Sequence, residues 1–432
     1  MAIFRIVFVS ILVLIGLFGA IRGPLNALWF YLWIAYFRPD IWVENDFLVT
    51  LKLSLFAGII PILLTIINGV KFRFTLFTGL LSLALVHSLV SASLSEYSSN
   101  WVDFLKIILI AYLITLLIKT EKDLKNTLIV ITLSLGFFDG AKQGWQFLIL
   151  HPGAKNFNGL PTIGDNNDVA VAMLMLVPIL IALSQISQRK IIKYTYIFLS
   201  IGVIYRALST YSRGGFLTFL TMCIIFWLRS RHKFVTLILV VLLAAVILPT
   251  FPQSFWDRMD TITADEGEQD SSVRSRIHFW KIAWEMAKDH PVFGVGHGSF
   301  KDTYLEYDPS AEKAYVTHSA WFGVMSEWGI VGFIIFMGIY FYSLYSCKMA
   351  RKKCKDRPEL KSIEILSGGI QTSLIICAVG ITFLTYQYKE ILWHYFALAA
   401  VSYQILKDND ELNKDNLENV VDDESIQMKT VC

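Results

Sequence analysis

Apolar runs of about 15 to 28 residues recur along most of this chain, separated by short polar turns. At 1.5 Å of rise per residue, about 20 helical residues cross a hydrocarbon core roughly 30 Å thick. The pattern predicts membrane spans over 3–20, 24–38, 51–68, 74–93, 101–118, 125–150, 168–186, 193–210, 214–229, 233–250, 318–345, 366–385 and 388–406, about 12 or 13 in all. The run 24–38 is short and carries Trp29, Tyr31, Trp33 and Tyr36, so a tilted or interfacial helix is expected there. The run 3–20 has one early arginine, Arg5, and no small-residue cleavage site after it, so it reads as a retained membrane segment rather than a signal peptide.

One long polar stretch, 251–317, breaks the series. Within it, Ser272 to Ala287 has helical periodicity, stops at Asp289-His290-Pro291 and passes into the glycine-rich turn Gly294 to Gly298. The expected fold class is all-α: a polytopic membrane protein with one large outer loop containing short amphipathic helices. Its parts are an N-terminal transmembrane region (1–250), the loop (251–317), C-terminal transmembrane helices (318–406) and a polar acidic tail (407–432) expected to be disordered and cytoplasmic.

Composition supports the membrane assignment. The chain of 432 residues is 55% hydrophobic and only 17% charged, with a mean hydropathy of +0.54; a soluble chain carries about 25% charged residues. The net charge of +3 gives no nucleic-acid surface. The five cysteines lie outside the large loop and show no CxxC spacing, which argues against a disulfide framework or a zinc site. Basic turns at Lys71 to Arg73, Lys119 to Lys125, Arg189 to Lys193, Arg229 to Lys233 and Lys348 to Lys361 fall on one side if the spans alternate, and that side is expected to be cytoplasmic. The other side then receives 95–100, 151–168, 209–213, the large loop and the surroundings of Gln387. The large loop has twelve acidic and seven basic residues, without the basic excess of a cytoplasmic loop.

Four groups on that outer side could carry chemistry. Tyr211-Ser-Arg-Gly-Gly215 puts Arg213 at a membrane boundary, where an arginine is costly unless it snorkels or finds a partner. Arg274 and Arg276 precede Trp280 and Trp284; Arg276, Trp280 and Trp284 are spaced i, i+4, i+8 and share one face. A helix lying on the membrane surface would put its tryptophans at headgroup level and its arginines beside lipid phosphates, which the guanidinium fork suits. The plain alternative is an interfacial helix with solvated arginines. Thr317-His318-Ser319 places a histidine where the loop re-enters the membrane, fit for a general base at neutral pH; His278, His290 and above all His297 are rivals. Gly164-Asp-Asn-Asn-Asp168 offers Asp165, Asn166 and Asn167 to sugar hydroxyls or a cation, and could equally be a helix cap. No EF-hand loop, HExxH, P-loop, Rossmann fingerprint or GxSxG elbow occurs, so neither metal nor cofactor is expected.

Ser212-Arg-Gly-Gly215, Ser275-Arg276 with Trp280, Pro291 to Phe300, His318-Ser319 and Glu327-Trp-Gly-Ile-Val-Gly332 follow one another in the order of the O-antigen ligase/polymerase family, which this chain resembles. Its N-terminal Arg22-Gly-Pro24 and Arg38-Pro39 resemble a branch of O-glycosylation ligases found beside exosortase systems. The resemblance implies a glycosyltransferase of the bacterial cytoplasmic membrane. Such an enzyme passes a glycan from a polyprenyl diphosphate-linked donor to a glycan, lipid or protein acceptor on the outer face, without nucleotide sugar or metal. Arg213 and Arg276 would hold the diphosphate, His318 would take the proton of the acceptor hydroxyl, and Ser319 stands where the family usually has asparagine. Arg274, Asp165, Asn166, Asn167, Trp280, His297 and Ser319 are the expected substrate contacts. A ligase and a repeat-unit polymerase share these features and differ in acceptor. A transporter would place its polar groups near the bilayer midplane, and a structural membrane partner would not need two arginines and a histidine on one face.

Overall fold

The computed structural model describes residues 2–43, 52–97, 100–160, 163–251, 253, 256 and 271–430. Most of the first third of the polar loop, including 257–270, lies outside the described residues. The helices are α1 (Ala2–Ala20), α2 (Pro24–Phe37), the single turn α3 (Pro39–Trp42), α4 (Leu53–Ile67), α5 (Leu76–Leu94), α6 (Trp101–Leu117) and α7 (Glu121–Gly136). A π-helical segment (Phe137–Lys142) joins α7 to α8 (Gln143–Leu150). There follow α9 (Asn166–Ile186), α10 (Lys190–Leu208), α11 (Arg213–Arg229), α12 (Lys233–Ile247), α13 (Ser271–Asp289), α14 (Phe300–Tyr307), α15 (Ala320–Lys353), α16 (Lys361–Ile381) and α17 (Glu390–Thr430). No strand occurs among the described residues, and the fold is the all-α polytopic membrane protein that the hydropathy pattern predicts.

Seven helical stretches among the described residues are long and apolar enough to cross a membrane, and α1 and α4 contribute shorter apolar helices. This is fewer than the 12 or 13 expected, because several of the predicted runs form short helices. α6 and α11 have 17 residues each and α2 has 14. α2 is also not the interfacial helix expected from its aromatic content. Ala27, Leu28, Phe30, Tyr31, Leu32, Ile34, Ala35 and Tyr36 are all buried. Trp29 Nε1 donates to Thr127 Oγ1 at 2.9 Å, and the Tyr36 hydroxyl meets His394 Nδ1 at 2.8 Å. With their polar ends satisfied inside the protein, these rings have no need of the headgroup region.

α9 is apolar on every face and accordingly central; Val169 to Leu180 are buried, and α10, α11 and α16 pack around it. α6, α15 and α17 form a second packed group. The acidic tail, expected to be disordered, continues α17 as helix to Thr430. No glycine or proline follows Lys407, so nothing in the backbone stops a helix already nucleated in the bundle.

The described part of the polar loop builds its own small core. Phe279, Ile282, Ala283 and Met286 of α13 pack with Phe300 and Tyr304 of α14, and burying each large apolar side chain contributes about 1.5–3 kcal/mol. This is the stripe that α13 turns into the small core, and the Arg276–Trp280–Trp284 face, expected to lie on the membrane surface with its tryptophans at headgroup level, is divided. Trp284 is exposed, while Trp280 stacks on Phe322 of α15 with ring centroids 5.3 Å apart.

Candidate functional site

A polar cavity of about 300 Å³ opens where the N-termini of α9 and α11 meet α13. Local chemistry explains each wall. Asp165 caps α9, accepting from the amides of Asn167 at 2.8 Å and Asp168 at 3.0 Å. Asn166 then donates through Nδ2 to the Thr210 carbonyl at 3.2 Å, tying α9 to the turn before α11. Ser212 caps α11 by accepting from Gly215 N at 3.2 Å, which fixes Arg213 in the first turn. The 151–160 segment is drawn in by Tyr211, whose hydroxyl donates to Gly153 O at 2.6 Å, and by Asn156 N donating to Ser209 O at 2.8 Å. Lys155 thereby joins Arg213, Arg276, Asn166 and Asn167 around the cavity, with Phe383 and Leu384 closing it. The Arg276 guanidinium lies 6.0 Å from the Phe383 ring centroid. Three cationic side chains and two capped helix N-termini make the cavity suited to an anion.

His318 sits just before α15 in the left-handed region, with φ of 47°. A side chain held there persists only when its surroundings over-determine it. Its ring lies 6.1 Å from that of Phe279. Burial first, and then the charge of Arg276, lower its pKa below the ordinary 6.5, with Asp165 acting in the opposite sense. His318 is therefore within electrostatic reach of both Arg276 and Asp165. Trp280 completes the surroundings, with its ring centroid 6.3 Å from that of Phe383.

The other residues expected at the site lie elsewhere. Arg274 is exposed in the first turn of α13 and does not line the cavity. Ser319 is fully buried at the N-terminus of α15, where its carbonyl accepts from Gly323 N at 2.9 Å and from Thr317 Oγ1 at 3.0 Å. His297 faces a different cavity. Its Nδ1 accepts from Trp328 Nε1 at 3.1 Å, and burial pushes its pKa down to about 3. Of the two histidines, His318 alone feels the charge of Arg276. Among the described residues no group of three or more His, Cys, Asp or Glu side chains is arranged to hold a metal ion.

The glycine-rich turn and the Glu327-Trp-Gly329 motif explain each other. α15 breaks at Gly329, with φ 70° and ψ −179°. The break frees carbonyls that a continuous helix would use: Val295 N donates to Ser326 O at 2.9 Å and Gly296 N to Glu327 O at 3.3 Å. In return Ile330 N donates to Pro291 O at 2.8 Å. The polar loop is thus latched to a membrane helix by backbone bonds, and these motifs hold the turn that follows α13, the helix that carries Arg276. Lys155, Phe383 and Leu384 were not expected at the cavity. Lys155 is the single Lys or Arg of the stretch 151–164, a signal present in the sequence; Phe383 and Leu384 carry no such signal.

Fold and cavity define a class, a multi-pass helical membrane protein with a cationic pocket formed by its loops and helix ends. Residues 196–337 match the family described as O-Antigen ligase. The match covers the stretch from α10 to the middle of α15, and it supports a membrane protein of the O-antigen ligase/polymerase type. The matched segment contains Arg213, Arg276, His297, His318 and Glu327. A search of curated proteins finds no match.

Proposed function

We propose that the protein transfers a glycan from a polyprenyl diphosphate carrier to an acceptor hydroxyl on the outer face of the cytoplasmic membrane. The observation that carries this reading is the convergence of Lys155, Arg213 and Arg276 on one cavity with His318 beside it. The diphosphate of the donor occupies the cationic cavity, and Asn166 and Asn167 offer hydrogen bonds to it or to the first sugar. The acceptor oxygen attacks the anomeric carbon as the bond from that carbon to the diphosphate oxygen breaks. His318, neutral because its pKa is lowered, takes the proton that the acceptor oxygen loses. The leaving diphosphate gains negative charge in the transition state, and fixed cations stabilise it where the charge develops. The substrate's own binding energy orients the two partners, so the arginines supply charge without requiring a metal ion.

The test is transfer by the purified full-length protein in nanodiscs from a lipid-linked glycan donor. Arg213→Ala, Arg276→Ala and His318→Ala each abolish product while the protein stays folded in the membrane. Full activity of His318→Ala removes the proposed base. Mass analysis of cellular glycoconjugates with and without the gene distinguishes the two family activities: long lipid-linked chains accumulate when a ligase is lost, single repeat units when a polymerase is lost.

A further inference from the structure

Two guanidinium groups meet at the end of α11 remote from the cationic cavity. Arg213 and Arg229 are the first and last residues of α11, whose 17 residues rise about 24 Å. At the far end Arg229 Nη2 donates to Gln371 Oε1 at 2.7 Å, and Arg351 Nη1, from α15, donates to the same oxygen at 2.9 Å. Arg229 Nη1 also donates to Thr372 Oγ1 at 2.6 Å and to Gly368 O at 3.1 Å. Gly368 has no side chain to separate the two cations, and a Cβ there would lie 3.6 Å from Arg351 Nε. Both arginines therefore crowd onto one buried amide and one bare turn of α16.

The pair lacks an anion. Other cations nearby in the chain have one: Lys353 and Arg357 share Asp410, and Lys361 pairs with Glu364. Among the described residues no carboxylate lies within ion-pair distance of Arg229 or Arg351. Arg351 makes its one side-chain hydrogen bond among these residues to Gln371, so most of the five N–H groups of its guanidinium stay available. Two like charges held on one neutral acceptor repel each other. A phosphate between them would remove that repulsion and match both forks. The surroundings indicate the source of the phosphate. Leu220, Ile224 and Leu228 are spaced i, i+4, i+8, so they share one face of α11, and all three are exposed. Beside this stripe Lys233 Nζ lies 5.3 Å from the ring centroid of Trp227, and an exposed tryptophan at a helix end marks headgroup level.

We propose that Arg229 and Arg351 bind the headgroup phosphate of an anionic phospholipid, whose acyl chains lie along the Leu220–Ile224–Leu228 stripe. The site is separate from the cationic cavity, at the opposite end of the same helix, and it does not depend on the transfer reading above. The bound phosphate neutralises the pair and joins α11, α15 and α16 through one group, so the lipid acts as a strut and not as a substrate. Free inorganic phosphate offers the same oxygens but has no chains for the exposed stripe, which favours the lipid.

The experiment titrates the full-length protein in detergent with phosphatidylglycerol and with zwitterionic phosphatidylcholine of the same acyl chains, and counts bound lipid by native mass spectrometry. The wild type takes phosphatidylglycerol at least tenfold more tightly. Arg351→Gln removes a charge but keeps an amide that can bond Gln371, and it lowers the preference below about twofold. Arg229→Lys keeps a charge but loses the fork, and it lowers the preference about threefold. Lys352→Gln, which neutralises an exposed cation one residue from Arg351, leaves the preference unchanged. Inorganic phosphate added as a competitor does not displace the lipid. Equal binding of the two lipids by the wild type overturns the proposal, as does a preference that survives Arg351→Gln. An equal loss in Lys352→Gln overturns it too, by reducing the effect to general surface charge. Displacement of the lipid by inorganic phosphate overturns the lipid assignment in favour of a free-phosphate site.

Discussion

Gly329→Ala should unlatch the polar loop from the membrane helix. At φ 70° and ψ −179° the residue occupies a region open essentially to glycine alone, and forcing alanine there costs about 1–3 kcal/mol. A Cβ at this position would meet Pro291 O at 2.6 Å and Pro291 C and Val292 C at 2.8 Å. These are backbone atoms, which cannot rotate aside. Relief therefore requires the turn to move away, which breaks the bonds Ile330 N to Pro291 O, Val295 N to Ser326 O and Gly296 N to Glu327 O, each worth about 0.5–1.5 kcal/mol. The sum is roughly 2.5–7.5 kcal/mol of lost latch stability, and each 1.4 kcal/mol is a factor of about ten. Hydrogen exchange of the Val295 and Ile330 amides, measured on the full-length protein in detergent, should accelerate by roughly 10²–10⁵. Gly298→Ala is the control. Its φ of 75° is also left-handed, but nothing lies within 4 Å of the added carbon, so only the backbone cost of about 1–2 kcal/mol applies. Equal exchange in the two variants, or less than about threefold acceleration in Gly329→Ala, would refute the account of the latch.

Other outcomes are equally open to measurement. Arg213→Ala and Arg276→Ala should each reduce transfer by at least about 10² in kcat/KM, the scale of losing one fixed charge-stabilising group, as read in the nanodisc assay. The proposed base works when unprotonated, and burial and Arg276 lower the His318 pKa. The acid limb of the pH–rate profile should therefore lie below pH 6.5, with full activity at neutral pH; a limb above pH 7 would contradict this assignment. Arg206→Met should loosen the segment that carries Lys155. Arg206 is fully buried and donates to Asp139 O at 3.1 Å and Asn158 O at 2.7 Å, and bonds from a charged group contribute about 1.5–3 kcal/mol each. Faster proteolysis between 151 and 160 checks it, and an unchanged cleavage rate counts against the tether.

Much of this protein is legible in one dimension because a bilayer imposes a simple rule on every segment. Runs such as 168–186 must be helical to satisfy their backbone groups in hydrocarbon, so helix content and membrane class follow from composition and run length. The caps at Asp165 and Ser212 are equally local, since each side chain bonds amides two or three residues on. Two of the basic turns reach the same end of the bundle. Arg73 pairs with Asp408 and Lys353 with Asp410, while the groups assigned to the other side meet one another through Tyr211, Asn166 and Arg276.

Where periodicity misleads, it is because side-chain spacing shows which residues share a face but not which face has a partner. The Arg276–Trp280–Trp284 stripe is real as geometry, yet the neighbour that α13 meets is the apolar surface of α14 and α15, so Phe279, Ile282 and Met286 turn inward and Trp284 turns out. The same limit hides Lys155 and Phe383, which reach the cationic cavity through contacts with chain more than 50 residues away.

The amino-acid sequence alone determines that this is an all-helical membrane chain, which residue types its polar turns and loop make available, and where its helices are capped. Only tertiary structure decides that Arg213 and Arg276 share a cavity, that Arg274 and His297 do not, and that Gln387 and Glu327 face a second one. The physical reason is that helix formation is settled by bonds four residues apart, whereas a binding site is settled by which helix ends a folded bundle brings within a few ångströms, and no local pattern records that distance.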